Sequence, residues 1–193
     1  MIELFTKISD ATKLLMEKGF TPLHASSALS MVGSALKVDR VYIYENQPYP
    51  IRGRMLVDAR YAWTVPGLTS PLESSTLQSL CLRELAPQWS ELLSQGHLVN
   101  CLAKDAPPRM KFLLDDHKTR SLMLAPLRPS KEWWGFVGFD DCQQGRVWSA
   151  EEVILLKSLA SGLSAALRHR QMRSSLSQTR SQLREMMALS VNR

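Results

Sequence analysis

Cysteine is scarce in this sequence of 193 residues, which has only Cys81, Cys101 and Cys142, at wide and unequal spacing. An odd number of dispersed cysteines disfavours a disulfide framework and does not match the ligand spacing of a zinc site. We therefore predict three reduced, buried thiols. No metal ligands are expected in this chain.

Long apolar runs and a targeting segment are also missing. No stretch of about 18 consecutive apolar residues occurs, so no membrane-spanning helix is expected. The N-terminus contains Glu3 and Asp10 and lacks the basic-then-apolar layout of a signal peptide. The sequence thus predicts a cytoplasmic protein without a membrane partner.

Catalytic signatures are absent as well. The sequence has no glycine-rich phosphate loop, no Ser-His-Asp signature and no motif of kinases or nucleotide cyclases. Carboxylate pairs such as Asp115-Asp116 and Asp140-Asp141 are adjacent in sequence, which directs the two side chains to different faces. We predict no catalytic residues here, and any enzyme activity is expected in a domain outside these residues.

Excess positive charge is confined to the last residues. The formal net charge is +6, and residues 168–193 contain six arginines against the single acidic residue Glu185. The rest of the chain is nearly neutral, which argues against a broad surface for nucleic acid. Because the arginine segment lacks interleaved aromatic residues, we interpret it as a solvated helix face, and no nucleic-acid partner is predicted.

The sequence does contain alternating helix and strand patterns. Apolar residues recur at helical spacing over residues 4–15, and Gly19 is expected to end this amphipathic helix. Thr21 and Pro22 supply an N-cap and a first-turn proline to a second helix. With 45% hydrophobic residues, the chain is large enough for one domain with a proper core.

Strand patterns follow the two helices. Residues 41–44 and 54–63 have the β-branched and aromatic composition of strands. Residues 121–127 and 133–140 flank a five-residue polar link and are predicted to form a central β-hairpin. A surface loop is expected over residues 66–75, and short helices over 76–84 and 109–116.

Five blocks of sequence, in this order, resemble the GAF domain family. They are VDRVYIYEN (38–46), WSELLSQG (89–96), RSLMLAPL (120–127), WWGFVGFDD (133–141) and RVWSAEE (146–152). The ordered set is more specific than any one block, and the resemblance covers residues 21–168. It implies an α+β, GAF/PAS-like fold: a central antiparallel sheet with the N- and C-terminal helices on one face and a small-molecule pocket on the other.

By the same resemblance, aromatic and histidine side chains are predicted to line that pocket. The predicted ligand-binding residues are Tyr44, Trp63, Trp89, His97, Phe112 and Phe139. Large aromatic residues of a small domain are more often core residues than ligand contacts. The general expectation is therefore an apolar pocket with a few polar groups.

The sequence disfavours three ligand classes of the family. Bilin-binding members attach the chromophore through a cysteine that usually has a histidine neighbour, and no cysteine here has one. Cyclic-nucleotide-binding members carry an Asn-Lys pair, then Phe, then Asp-Glu after three residues, whereas Phe112 is followed by Asp116-His117 and no adjacent Asn-Lys occurs. For haem, His97 and His117 are only formal ligand candidates. The ligand is left unidentified.

The last helix is expected to mediate dimerisation. Ser149 and Glu152 form an S-x-x-E capping box at its start. Its first apolar residues are expected to pack on the sheet, and its later ones form a heptad-like seam: Leu156, Leu159, Leu163 and Ala166, then Met172, Leu176, Leu183 and Met186. The two sets are out of phase, because Leu163 and Leu176 are 13 rather than 14 residues apart. We divide the chain into an N-terminal helix (1–20), a GAF domain (21–168) and a coiled-coil signalling helix (169–193) that pairs in a parallel homodimer.

The resemblance implies a non-catalytic, ligand-sensing and dimerising domain of a signalling protein, as in two-component systems. In this family the output is commonly a histidine kinase, a diguanylate cyclase or a transcription regulator, so an output domain or partner protein is expected. One alternative is a structural dimerisation module without ligand. A second is an enzyme similar to free methionine sulfoxide reductases, although their cysteines lie closer together, in glycine-containing loops.

Overall fold

The computed structural model describes residues 2–48 and 55–191. The elements in chain order are α1 (Ile2–Lys18), α2 (Pro22–Leu36), β1 (Arg40–Pro48), β2 (Met55–Thr64), α3 (Leu82–Leu85), α4 (Pro87–Ser94), β3 (Val99–Leu102), α5 (Pro108–Asp116), β4 (Ser121–Leu127), β5 (Gly135–Asp141) and α6 (Ala150–Val191). Short 3₁₀ turns lie at Ser75–Leu77 and Ala103–Asp105. The α+β class expected from the sequence is confirmed.

The strands form one antiparallel sheet in the order β2-β1-β5-β4-β3. The predicted hairpin is confirmed as β4 and β5, with Leu127 paired to Gly135 and Ser121 to Asp141. β5 begins at Gly135 rather than Trp133, although the Trp134 amide still donates to the Leu127 carbonyl over 3.0 Å. β5 lies at the centre of the sheet, between β1 and β4.

The two faces of the sheet bury different apolar clusters, because side chains alternate along each strand. On one face, Val41, Ile43, Val137 and Phe139 pack under the long helices α1, α2 and α6. On the other face, side chains of the same strands pack under α3, α4 and α5. The predicted placement of the N- and C-terminal helices on one face is therefore confirmed.

A β-bulge in β2 reverses this alternation. Tyr44 pairs with Ala59 and Ile43 with Tyr61, so Arg60 is the extra residue that has no partner on β1. Val57 and Ala59 lie on the face under α3–α5, whereas Tyr61 lies on the face under the long helices. The bulge thus moves the odd-numbered residues of β2 from one face to the other.

The predicted helix caps are present. The Thr21 hydroxyl accepts a hydrogen bond from the His24 amide over 3.3 Å at the start of α2. At α6, the Ser149 hydroxyl accepts from the Glu152 amide over 3.2 Å, and the Glu152 carboxylate accepts from the Ser149 amide over 2.8 Å. The predicted short helix over 76–84 is divided, since a 3₁₀ turn and α3 occupy that region separately.

Helix α6 leaves the domain after Leu167, the last buried residue among the described side chains of this helix. The Arg170 guanidinium still donates to the Tyr61 hydroxyl over 2.6 Å. Beyond it, Met172, Leu176, Leu183 and Met186 are 54–68% exposed. No helix in the described part of the chain is both long and apolar enough to span a membrane.

The capping box gives a first testable prediction. Substitution Ser149→Ala removes an N-cap side chain and is expected to lower the free energy of unfolding by about 1 kcal/mol. Substitution Ser161→Ala, in the middle of the same helix, is the matched control: its hydroxyl donates only to the Lys157 carbonyl, and alanine is the better helix former. Urea titrations of both variants check this, and equal losses would contradict a capping role.

Candidate functional site

A small cavity lies between the sheet and α3–α5, on the face opposite the long helices. Its volume is about 60 Å³. Most of its wall is apolar, and aromatic side chains come from β1, α4 and β5. The apolar lining residues are Tyr44, Val57, Pro71, Leu77, Leu80, Leu82, Trp89, Met110, Leu113, Leu114, Leu122, Leu124 and Phe136.

The polar end of the cavity is an ion pair between neighbouring strands. Arg40 on β1 is paired in register with Asp140 on β5, which places both side chains on the cavity face. The Arg40 Nη1 donates to Asp140 Oδ2 over 2.9 Å, and both side chains are buried. In so apolar a setting, each charge depends on the other for compensation.

Two hydroxyl groups complete the surroundings of the carboxylate. Tyr42 donates to Asp140 Oδ1 over 2.8 Å, and Thr119 donates to Oδ2 over 3.2 Å. Tyr42 reaches across β5 because Gly138 has no side chain: a Cβ there would lie 2.1 Å from the tyrosine ring. Burial raises the pKa of Asp140, while Arg40 and the two hydroxyl groups oppose that rise. Burial also raises the pKa of Tyr42.

His117 joins this cluster to the segment that covers the cavity. Its carbonyl accepts from Arg40 Nη2, and its ring Nε2 lies 2.8 Å from Thr76 Oγ1 and 3.4 Å from Ser74 Oγ. Burial, followed by the nearby Arg40 charge, lowers the pKa of His117. The Tyr44 hydroxyl adds a second tie by donating to the Leu77 carbonyl over 2.7 Å. Residues 74–77 are thus fixed over the cavity by side-chain hydrogen bonds.

The residue before Arg40 holds the chain that leads to α6. One oxygen of Asp39 accepts from the Cys142 amide over 2.7 Å, and the other accepts from the Gln143 side chain over 2.8 Å. Further along, Arg146 donates to the Leu36 carbonyl over 2.9 Å and to Glu152 over 2.5 Å. A continuous set of contacts therefore runs from the cavity wall to the first turn of α6.

Two of the six predicted site residues line the cavity. Tyr44 on β1 and Trp89 on α4 both contribute to its apolar wall. Both are buried, and the Tyr44 ring stacks on Phe136 with a centroid distance of 5.2 Å. Binding of a ligand by either residue stays a prediction.

Trp63 and Phe139 lie on the other face of the sheet, which corrects their assignment to the pocket. The bulge at Arg60 turns Trp63 towards α2, where Gly33 leaves room for its ring. Phe139 lies on the opposite face of β5 from the cavity residues Phe136 and Asp140, so it packs under the long helices. Its ring contacts Trp148 edge-on, with 6.3 Å between the ring centroids.

Phe112 and His97 also lie outside the cavity. Phe112 is 79% exposed, because Met110 and Leu114 occupy the inward face of α5 and Phe112 lies on the opposite side. His97 is exposed in the turn after α4, where its amide donates to the Leu92 carbonyl over 2.8 Å. Neither side chain is placed to contact a ligand in this cavity.

The polar cluster was not predicted from the sequence, although two signals for it are present. Asp140 is an acidic residue within an otherwise apolar strand, and Arg40 opens the apolar run of β1. A charged residue at such a position is buried only with a partner. The two charges therefore indicate a buried pair of Arg40 with Asp140, and the alternation of β1 places Tyr42 on the same face as Arg40.

The three cysteines are free thiols that do not contribute to the cavity, and each is half-buried rather than buried as predicted. None of the three is among the residues that line it. Burial raises the pKa of Cys101, and it raises the pKa of Cys142 to about 12. Among the described residues, no group of three or more His, Cys, Asp or Glu side chains is arranged to hold a metal ion.

The ion pair gives a second prediction. Substitution Asp140→Ala leaves Arg40 buried without its counter-charge and is expected to cost about 3–5 kcal/mol of unfolding free energy. The matched control is Glu45→Ala, which removes a surface pair with Arg60 at 2.6 Å and is expected to cost less than about 1 kcal/mol. Urea unfolding of both variants checks this, and equal costs would show that the buried pair has no special role.

His117 gives a third prediction, on pH. Because its pKa is lowered in the folded state, the unfolded chain takes up the proton first as pH falls below about 6.5. Stability is therefore expected to fall between pH 7 and pH 5, and less so in His117→Gln, which keeps a polar group beside Thr76. Melting temperatures of both proteins across this pH range test it; identical slopes would exclude His117 as the cause.

Comparison with known proteins identifies relatives of this fold. The sequence profile of the GAF domain matches residues 25–167. The methanogenesis regulatory histidine kinase FilI of Methanothrix harundinacea (strain 6Ac) is 31% identical over 157 residues, which are 81% of this chain and 18% of the kinase. The chain thus spans less than a fifth of the length of this relative.

Two solved structures show the same fold. The phycocyanobilin-bound GAF domain from a cyanobacterial phytochrome aligns with a TM-score of 0.71 and 16% identity, over 88% of this chain and 96% of that one. The chromophore-binding domain of an unusual bacteriophytochrome from R. palustris aligns with a TM-score of 0.73 and 12% identity, over 90% and 62%. Together with the profile match over most of its length, these findings show that the chain belongs to the GAF domain family.

Proposed function

We propose that this GAF domain is a non-catalytic sensor that binds a small molecule and passes the binding event to α6. The observation that carries the proposal is the small, mainly apolar cavity with a buried polar cluster at one end. Such a combination of apolar wall and few polar groups is typical of small-molecule sites. The proposed site residues are Tyr44 and Trp89 together with Arg40 and Asp140.

The relative supports a signalling context. FilI is by its name a regulatory histidine kinase, and this chain matches 18% of its length. We infer an output of the histidine-kinase type, in a two-component system, while a diguanylate cyclase or a transcription regulator are the other outputs to test. A cytoplasmic location, without membrane or nucleic-acid partners, is retained from the sequence.

The Asp39-Arg40 dipeptide provides a mechanism. Arg40 holds the cavity wall through Asp140, and Asp39 holds the chain at Cys142 and Gln143, just before α6. A ligand that contacts Arg40 or Asp140 would displace the parts of β1 and β5 next to Asp39. Those parts position the chain that leads from Cys142 to α6. Binding would therefore favour one arrangement of α6 over another, which is a shift in population between two states.

The exposed seam on α6 supports a homodimer. If Leu176 and Leu183 take the a positions of a heptad, Met172 and Met186 take the d positions, and all four are exposed in the monomer. Pairing of two copies in parallel would bury them. It would also bring Arg173 and Arg180, at e positions, close to the partner helix. We expect like-charge repulsion there to be relieved as salt is raised.

Two alternatives are less consistent with the site. Bilin attachment needs a thiol at the pocket, and no cysteine lines this cavity. A reductase that works through cysteine needs a thiol with a lowered pKa, whereas the pKa values of Cys101 and Cys142 are raised. A structural module without ligand is the main competitor, and the two are separated by a binding experiment.

The dimer gives a fourth prediction. Substitution Leu176→Glu places a charge in the seam and is expected to convert a dimer into a monomer at tens of micromolar protein. Substitution Ser181→Glu, at an f position on the outer side of the same helix, is the control and should remain dimeric. Light scattering measures both masses. A monomeric wild type, or a dimer that survives Leu176→Glu, would contradict pairing through this seam.

A screen of metabolites by thermal melting tests the sensor proposal. We expect at least one compound to raise the melting temperature, since binding to the native state alone stabilises it. The increase should be lost in Leu114→Phe, which fills the cavity, and kept in Phe112→Leu, which alters an exposed residue of the same helix. No stabilising compound would favour the structural module, and an equal increase in both variants would place the site elsewhere.

A further inference from the structure

The charges at the cavity balance without a ligand. Arg40 and Asp140 form a one-to-one pair, and both carboxylate oxygens already accept hydrogen bonds from Arg40, Tyr42 or Thr119. His117 is the other titratable group besides the tyrosines among the lining residues, and its lowered pKa keeps it neutral at pH 7. A charged ligand would therefore bring an uncompensated charge into a buried site.

One donor in this cluster has no partner. The Arg40 Nη1 donates to Thr119 and Asp140, and Nη2 donates to the His117 carbonyl, but Nε has no hydrogen-bond partner. Arg40 is only 1% exposed and lines the cavity. Because buried polar groups are nearly always hydrogen-bonded, this N–H requires an acceptor from outside the chain, which is either a bound molecule or an ordered water.

The cavity also limits the size of an occupant. One water molecule needs about 10–15 Å³ of cavity volume, so a cavity of about 60 Å³ holds roughly four to six non-hydrogen atoms. Typical pockets for larger ligands are about 300–1,000 Å³. Apart from the polar cluster, the wall consists of aliphatic and aromatic side chains. An occupant must therefore be small and mostly apolar.

We infer that the ligand is a small, uncharged and mainly apolar molecule that carries one hydrogen-bond acceptor, such as a carbonyl oxygen, for Arg40 Nε. This inference rests on the proposed function, since it names the class of ligand that the same cavity takes. It separates this chain from its bilin-bound structural neighbours by the size of the ligand. It also excludes carboxylates, phosphates and amines as the natural class.

The test uses three probes with the same carbon skeleton: 2-butanone, butyrate and n-butylammonium. The full chain is labelled with ¹⁵N, and the indole N–H signals of its tryptophans are followed during titration. Trp89 lines the cavity, whereas Trp63 and Trp148 pack with the apolar cluster under α1, α2 and α6 and serve as internal controls. The Trp89 signal is assigned by its disappearance in Trp89→Phe.

We expect 2-butanone to shift the Trp89 signal with a dissociation constant in the millimolar range, as suits five non-hydrogen atoms, and not to shift the control signals. The two charged probes should bind at least tenfold more weakly. A response to butyrate or butylammonium that equals or exceeds that to 2-butanone would overturn the ligand class but leave a binding site. No response to any of the three probes would overturn the inferred ligand class, whereas the proposed function would be contradicted only if the metabolite screen also found no stabilising compound.

A variant tests the role of the arginine. Substitution Arg40→Lys keeps the positive charge beside Asp140 but removes the Nε donor, and it is expected to weaken 2-butanone binding by about tenfold or more. Where this variant does not fold, the preference among the three probes on the wild-type protein is the deciding measurement. A folded Arg40→Lys protein with unchanged affinity would show that Nε does not hold the ligand.

Discussion

An arginine and an aspartate face each other across β1 and β5, out of contact with water, and the cavity side of the sheet depends on that ion pair. Arg40 and Asp140 hold each other at 2.9 Å, and Tyr42, Thr119 and the His117 carbonyl take up most of their remaining hydrogen-bonding capacity. A polar cluster of this kind is costly to bury and costly to leave incomplete. It therefore fixes the positions of β1, β5 and the segment after α5 relative to one another.

The same pair lies between the cavity and the chain that leads to α6. On one side it forms the polar end of a cavity with an apolar wall. On the other, the adjacent Asp39 holds the amide of Cys142, from which the chain runs to the capped start of α6. In the proposed mechanism, this set of short contacts is the route by which a change at the cavity reaches the helix that leaves the domain. In the proposed homodimer, the exposed seam of that helix is the surface that the change would affect.

Local sequence signals predicted the architecture well. The caps at Thr21 and Ser149 and the hairpin of β4 and β5 depend on neighbouring residues, so they could be recognised from the sequence alone. The site was predicted less well, because its geometry depends on contacts between distant residues. A single bulge at Arg60 turns Trp63 away from the cavity, and nothing in the local pattern of β2 indicates it. The Arg40 cluster likewise requires a pairing between residues 100 positions apart.

Hydrogen–deuterium exchange on Tyr42→Phe tests the coupling between cavity and helix most directly. This variant removes only the hydroxyl that donates to Asp140. If Arg40 and Asp39 couple the cavity to α6, exchange should rise in β5, at the Cys142 amide and in the first turn of α6, while α1 stays protected. A rise confined to β5, or one spread evenly over the domain, would contradict a route from the cavity to α6.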